Sequence, residues 1–418
     1  MRFSLNDFHR RRGTRFRLYA QSPVLEGFGE PETVWVSSPA GSLRPGPADG
    51  RMYAIQPLAK KPYGDETMPP WTGLCHPPAR ADRSGHFDHV APDDPAFPSV
   101  HMFGAVRRVL DVWESYLGGP VHWHFNITHP RLEMIAHVPW DNAHFGWGFM
   151  ECGEGADDQG IERPFALNFD ILAHEAGHGM IFSIVGMPTP ETLTASYRGF
   201  HESASDCIAM ISALHFDRFV DHVLCVTDGN LYVENEMNRI GELSRTRQIR
   251  KASNALKLSD VIDVDTPAND VTGKQVHRLG QPHTGAVFDI MVEFYLDRLV
   301  ANRVVRADAV AALREAGRRE QFEKVDQTLF ADAFAREPEG FRAALCEARD
   351  MLGLRLAETW RRLTPHDFVF GREVEMLLKV DAGFTGTRHR QMILECFEWR
   401  GISLDAEESG EQRRSRVS

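Results

Sequence analysis

Phe169-Asp170-Ile171-Leu172-Ala173-His174-Glu175-Ala176-Gly177-His178 is the stretch on which the reading of this chain turns. It ends in H-E-x-x-H, two imidazoles four residues apart with a carboxylate beside the first. On an α-helix that spacing puts both rings on one face, about one turn apart, where they can share a metal ion. Glu175 then stands close enough to take a proton from a water on that ion. Ile171, Leu172 and Ala173 lead in as an apolar run, which predicts a helix packed inside the protein. Such pentapeptides also arise by chance on ordinary helices, so the motif needs a third ligand.

One stands downstream. Glu202-Ser203-Ala204-Ser205-Asp206 runs into the apolar stretch Cys207-Ile208-Ala209-Met210-Ile211, and its two acids, four apart, share a helix face. Acids on an otherwise apolar helix are costly to bury without partners. A metal for Glu202 and the outer N–H of a ligand imidazole for Asp206 would be such partners. The plainer alternative is a solvated helix start with two acids favoured by its dipole. Asp170 shares the face of His174 and His178, and reads as a calcium ligand, a polar anchor or a first-turn acid.

These residues resemble the gluzincin metallopeptidases, and within them the thermolysin-like family, which pairs H-E-x-x-H with a glutamate in an E-x-x-S-D pattern. Asp141-Asn142-Ala143-His144-Phe145 is similar to the family's substrate-binding edge strand, and Pro282-His283-Thr284-Gly285 to the segment carrying its second catalytic histidine. Ile249-Arg250-Lys251 resembles the segment whose arginine grips a substrate carbonyl. The likeness runs from about residue 85 to 401. It implies an α+β fold, a two-lobed zincin with a mixed α/β N-terminal lobe, a mainly helical C-terminal lobe and zinc in the cleft between them. It also implies a zinc metalloendopeptidase: His174, His178 and Glu202 as ligands, Glu175 as general base, Asp206 holding a ligand ring. His283 and Arg250 would stabilise the oxyanion, and Asn142 and Ala143 would align a peptide or protein substrate as an added strand.

The chain departs from the family at several points. The gap from His178 to Glu202 is enlarged by Gly186-Met187-Pro188-Thr189-Pro190, Tyr197 is displaced from the expected tyrosine, and His277-Arg278-Leu279-Gly280-Gln281 replaces an aspartate before the histidine. Ala213 and Leu214 stand where a further calcium acid is expected, which leaves Ca2+ doubtful. Gly148-Phe149-Met150-Glu151-Cys152 is one residue from the G-x-M-E-N motif of zinc aminopeptidases, whose glutamate captures a free amino terminus. An aminopeptidase, or a catalytically silent zinc-binding protein, therefore stands as the alternative.

The 418 residues carry a net charge of −12 and no large basic block, which argues against nucleic acid as partner. No apolar run is long enough to span a membrane, and no secretory hydrophobic core lies near Met1. The expectation is a cytoplasmic protein, or one exported by an unconventional route. Six cysteines without a C-x-x-C pair read as scattered buried thiols. Residues 1–84, rich in Pro, Gly and Arg, read as an extension packed loosely on the catalytic unit. Residues 85–185 read as the α/β lobe with the zinc helix, 186–404 as the helical lobe, and 405–418 as a disordered tail. Within the first lobe, Val100–Leu117 is expected as a helix ended by Gly118-Gly119, and Val121–Phe125 and Leu132–Val138 as strands.

Overall fold

The computed structural model describes residues 5–64, 67–157, 160–242, 248–252, 254–261, 274–318 and 327–404. The tail at 405–418 lies outside the described residues.

Strands dominate the first part of the chain. After a short helix α1 (Leu5–His9), β1 (Gly13–Leu18) and β2 (Glu32–Pro39) form an antiparallel ribbon. Next come β3 (Met52–Ile55), α2 (Phe97–Leu117), β4 (Leu132–Ile135), β5 (Ala143–Gly146) and β6 (Phe149–Cys152). The strands of this group make a sheet in the order β3-β4-β6-β5. β3, β4 and β6 run parallel, while β5 runs antiparallel to β6 at the edge. A second ribbon pairs β7 (Glu154–Ala156) with β8 (Glu162–Pro164).

Helices take over with α3 (Phe169–Ile184), α4 (Ala195–Ala213) and α5 (Asp217–Val226). The hairpin β9 (Arg239–Glu242) and β10 (Gln248–Lys251) interrupts them before α6 (Leu258–Val261) and α7 (Lys274–Ala301). The chain closes with α8 (Ala307–Arg318), α9 (Thr328–Arg336), α10 (Pro338–Trp360), α11 (Phe370–Thr385) and α12 (Arg390–Trp399). The architecture is mixed α/β with small sheets. α3 packs on α4, α4 on α7 and α7 on α10.

The described residues up to 84 are not loosely attached. Phe16, Leu18, Val34, Val36 and Met52 have no exposed surface, Phe16 stacks on Phe103 of α2 at 5.9 Å, and β3 is an integral strand of the sheet. Each such apolar side chain contributes about 1.5–3 kcal/mol by leaving water. Trp113 of α2 stacks on Trp360 of α10 at 5.0 Å, which joins the strand-rich part to the helices.

α2 ends where Gly118 turns left-handed (φ 68°) and returns its N–H to Glu114 O. Val121–Phe125 forms no strand, because the amides of Asn126 and His129 fold back on the carbonyls of Trp123 and Phe125. The six cysteines are free; Cys152 and Cys207 are buried, whereas Cys75 and Cys225 are exposed. Among the described residues no helix is long and apolar enough to cross a membrane.

Candidate active site

Asn168 starts α3 by accepting the N–H groups of Asp170 and Ile171, and Thr194 caps α4 through Tyr197 N–H. Two glycines then let the helices close up. A Cβ on Gly177 of α3 would sit 2.9 Å from Ser205 Cα of α4, and one on Gly280 of α7 would sit 2.7 Å from Gly199 O of α4. Close approach at these points brings three helices to one spot.

His174, Glu175 and His178 each offer a donor atom within 4.8 Å of the others. Glu202 Oε2 lies 3.4 Å from His174 Nε2, and Glu202 Oε1 lies 3.9 Å from His178 Nε2. Donors held about 2.0–2.1 Å from a tetrahedral zinc stand about 3.3–3.4 Å apart. The first contact matches that edge, and the second is about half an ångström wider. Asp206 Oδ1 is 2.9 Å from His174 Nδ1. Two imidazoles and a carboxylate, one ring held from behind by another carboxylate, form a donor set that fits zinc. Burial pushes the Glu202 carboxyl up, but the imidazoles of His178, His174 and His277 outweigh it and hold the group well below the usual range.

Two histidines that sequence reasoning did not single out stand beside these donors. His277 Nδ1 is 2.7 Å from Glu202 Oε2, with 42% of its side chain exposed. His201 lies against His178, Nδ1 to Nδ1 at 3.1 Å, and burial lowers its pKa to about 4. Its place just before Glu202 was the available signal. Nothing comparable marked His277.

His283 stands elsewhere. It has no exposed surface, its Nδ1 is 2.9 Å from Ser203 Oγ and its Nε2 is 2.7 Å from Glu373 Oε2. A ring so enclosed, with one nitrogen on Ser203 and the other against the Glu373 carboxylate, does not reach a substrate oxyanion. The helix accounts for the difference from expectation. α7 runs through Lys274–Ala301 with Pro282 inside it, so that both histidines lie on one helix. Six residues apart, His277 and His283 point about 120° from each other around one helix.

The remaining candidates are dispersed. Asn142 is exposed just before β5, and its Oδ1 accepts the N–H of Ala143, the first residue of that edge strand. Asp170 is buried and accepts Gln21 Nε2, which ties α3 to the segment after β1. Arg250 lies in β10 opposite Ile240, its side chain outside the described residues, in a hairpin that touches α3, α4 and α7. Tyr197 donates its hydroxyl to Gly186 O.

Glu151, the glutamate of the aminopeptidase-like pentapeptide, is fully buried. It pairs with Lys60, accepts Tyr63 N–H at 2.7 Å and lies 3.0 Å from His144 Nε2.

The chain is similar in structure to the precursor of protealysin, a metalloproteinase from Serratia proteamaculans, with a TM-score of 0.45 and 13% identity over 78% of this chain and 85% of that one. No family model and no curated protein matches the sequence. What these side chains can do follows from their own geometry.

Proposed function

We propose that this chain is a zinc-dependent endopeptidase of the thermolysin-like kind, two-lobed, with its site in the cleft. The observation that carries the reading is the convergence of Glu202 on the His174–His178 pair, with Asp206 behind His174. His174, His178 and Glu202 would hold the ion. Zinc supplies Lewis acidity there, lowering the pKa of a coordinated water to about 7 and polarising a carbonyl.

The chain's own residues do the rest. Glu175 takes the proton of the attacking water and returns it to the departing amine. His277, its Nδ1 donating to Glu202 and its ring partly exposed, would stabilise the developing oxyanion as an imidazolium, whose Nε2 also carries a proton, the role that sequence reading gave to His283. Among the described residues β5 has β6 on one side alone in its sheet, so Asn142 and Ala143 can align an extended peptide along the other. Arg250 remains assigned as a carbonyl donor by the resemblance.

The aminopeptidase alternative meets a specific obstacle. Glu151 would have to bind a substrate's ammonium, yet the Lys60 ammonium already occupies that role inside the fold. Cleavage of amino-acetylated peptides is therefore expected, and loss of cleavage on acetylation would restore the alternative.

Elemental analysis should find zinc in the purified protein, and Glu175→Gln should keep that zinc while losing hydrolysis of denatured casein. Unchanged turnover in Glu175→Gln would remove the proposed base. A zinc-loaded wild type that cuts no denatured protein would leave a silent metalloprotein.

A further inference from the structure

His201 sits in a slot on α3 made by two residues one turn apart. Its ring centroid is 4.6 Å from that of His178, at an interplanar angle of 24°, and 4.0 Å from that of Phe182. It grips His178 at two places. His201 Nε2 is 3.2 Å from the backbone oxygen of His178, and His201 Nδ1 is 3.1 Å from His178 Nδ1. A carbonyl only accepts, so His201 carries a proton on Nε2, which in the neutral ring leaves a lone pair at Nδ1. A second neighbour of His178 Nδ1 is Ser205 Oγ at 3.1 Å, and that hydroxyl donates to His201 O at 2.9 Å. Toward His178 Nδ1, His201 and Ser205 therefore both act as acceptors.

Resting on the zinc reading above, we infer that His201 is a positioning residue that keeps the His178 proton on Nδ1 and so leaves Nε2 as the metal donor. The two ligand rings are held by different means. A carboxylate, Asp206, faces His174 Nδ1, while the imidazole of the residue before the third ligand faces His178. Because His201 and Glu202 are adjacent on α4, the element that brings the carboxylate ligand also sets the tautomer of the second imidazole ligand.

Two substitutions separate this role from packing. His201→Phe keeps an aromatic ring between His178 and Phe182 but removes the acceptor. His201→Asn gives up the ring but keeps an acceptor oxygen. Zinc affinity, measured by competition with a chromophoric chelator, should fall about 10- to 100-fold in His201→Phe and stay within about threefold of wild type in His201→Asn. The reverse order would make His201 a packing residue and overturn the inference, as would His201→Phe binding zinc like the wild type. Histidine 15N spectra of the unsubstituted protein give a reading independent of how the variants fold. His178 should be protonated at Nδ1, and a proton on Nε2 overturns the inference. A wild type that binds no zinc sinks the zinc reading and this one together; a zinc-binding wild type matched by His201→Phe sinks this one alone.

Discussion

Asp206 Oδ1 stands 2.9 Å from His174 Nδ1, on the opposite edge of the ring from Glu202, which is 3.4 Å from Nε2. The carboxylate commits one ring nitrogen to a proton and leaves the other as a lone pair. Asp206 itself is 1% exposed, so its charge is not spread into water. Asp206→Ala is expected to lower zinc affinity about 10- to 100-fold, with Glu202 and His178 in place. Chelator competition measures this, and an unchanged affinity would show that His174 needs no such partner.

The two histidines of α7 should behave as different kinds of residue. His277→Ala is expected to lower kcat by about 10²- to 10³-fold with an unchanged melting curve, since the ring is partly exposed and aimed at Glu202. His283→Ala leaves Glu373 and Ser203 without their buried partner and should destabilise the fold by about 3–5 kcal/mol. Urea denaturation alongside steady-state kinetics separates them. A stable but inactive His283→Ala would reverse the assignment.

Lys60 and Glu151 are both buried, and each is the other's countercharge. Lys60→Met leaves the buried carboxylate with His144 and the Tyr63 N–H but no ammonium, and should cost up to about 3–5 kcal/mol of stability. Lys60→Met with Glu151→Gln should recover part of the loss. A melting temperature unaffected by Lys60→Met would mean that Glu151 has room to find another cation, and would reopen the amino-terminus reading.

His101 supplies a pH dependence away from the metal. It accepts Tyr19 N–H at Nε2 (3.0 Å), its Nδ1 lies 2.8 Å from Ala166 O, and burial pulls its pKa down to about 4. In the unfolded chain the ring titrates near 6.5. Between those values the unfolded state binds the extra proton. The contribution to stability is therefore complete above about pH 6.5, falls as the pH drops toward 4, and is on the order of 3 kcal/mol. Comparing wild type with His101→Gln by urea denaturation at pH 7 and pH 4.5 tests it. Equal pH slopes in the two proteins would locate the acid sensitivity elsewhere.

The candidate site was legible where local geometry suffices. His174 and His178 share a face because four residues make about one helical turn, and the same spacing aligns Glu202 with Asp206. Less legible was α7 (Lys274–Ala301), which carries Pro282 inside it and so places His277 and His283 on one helix. Proline removes one N–H bond, and a long helix packed on α4 and α10 can bear that loss. One continuous helix there carries His277 to Glu202 and turns His283 inward. The role of residues 1–84 was hidden for a different reason: short strands such as β3 acquire meaning only from a distant partner, here β4.

By itself the sequence determined which atoms are chemically able to bind a metal, and which of them lie on common helix faces. Period and residue type are local properties, readable without any fold. Tertiary structure alone decided that α3, α4 and α7 meet, through the close passages at Gly177 and Gly280, and that His277 and His201 face the ligands while Lys60 neutralises Glu151. Those pairings join residues from 23 to 91 positions apart. Chain entropy resists bringing such residues together, and only the burial of the shared core overcomes it.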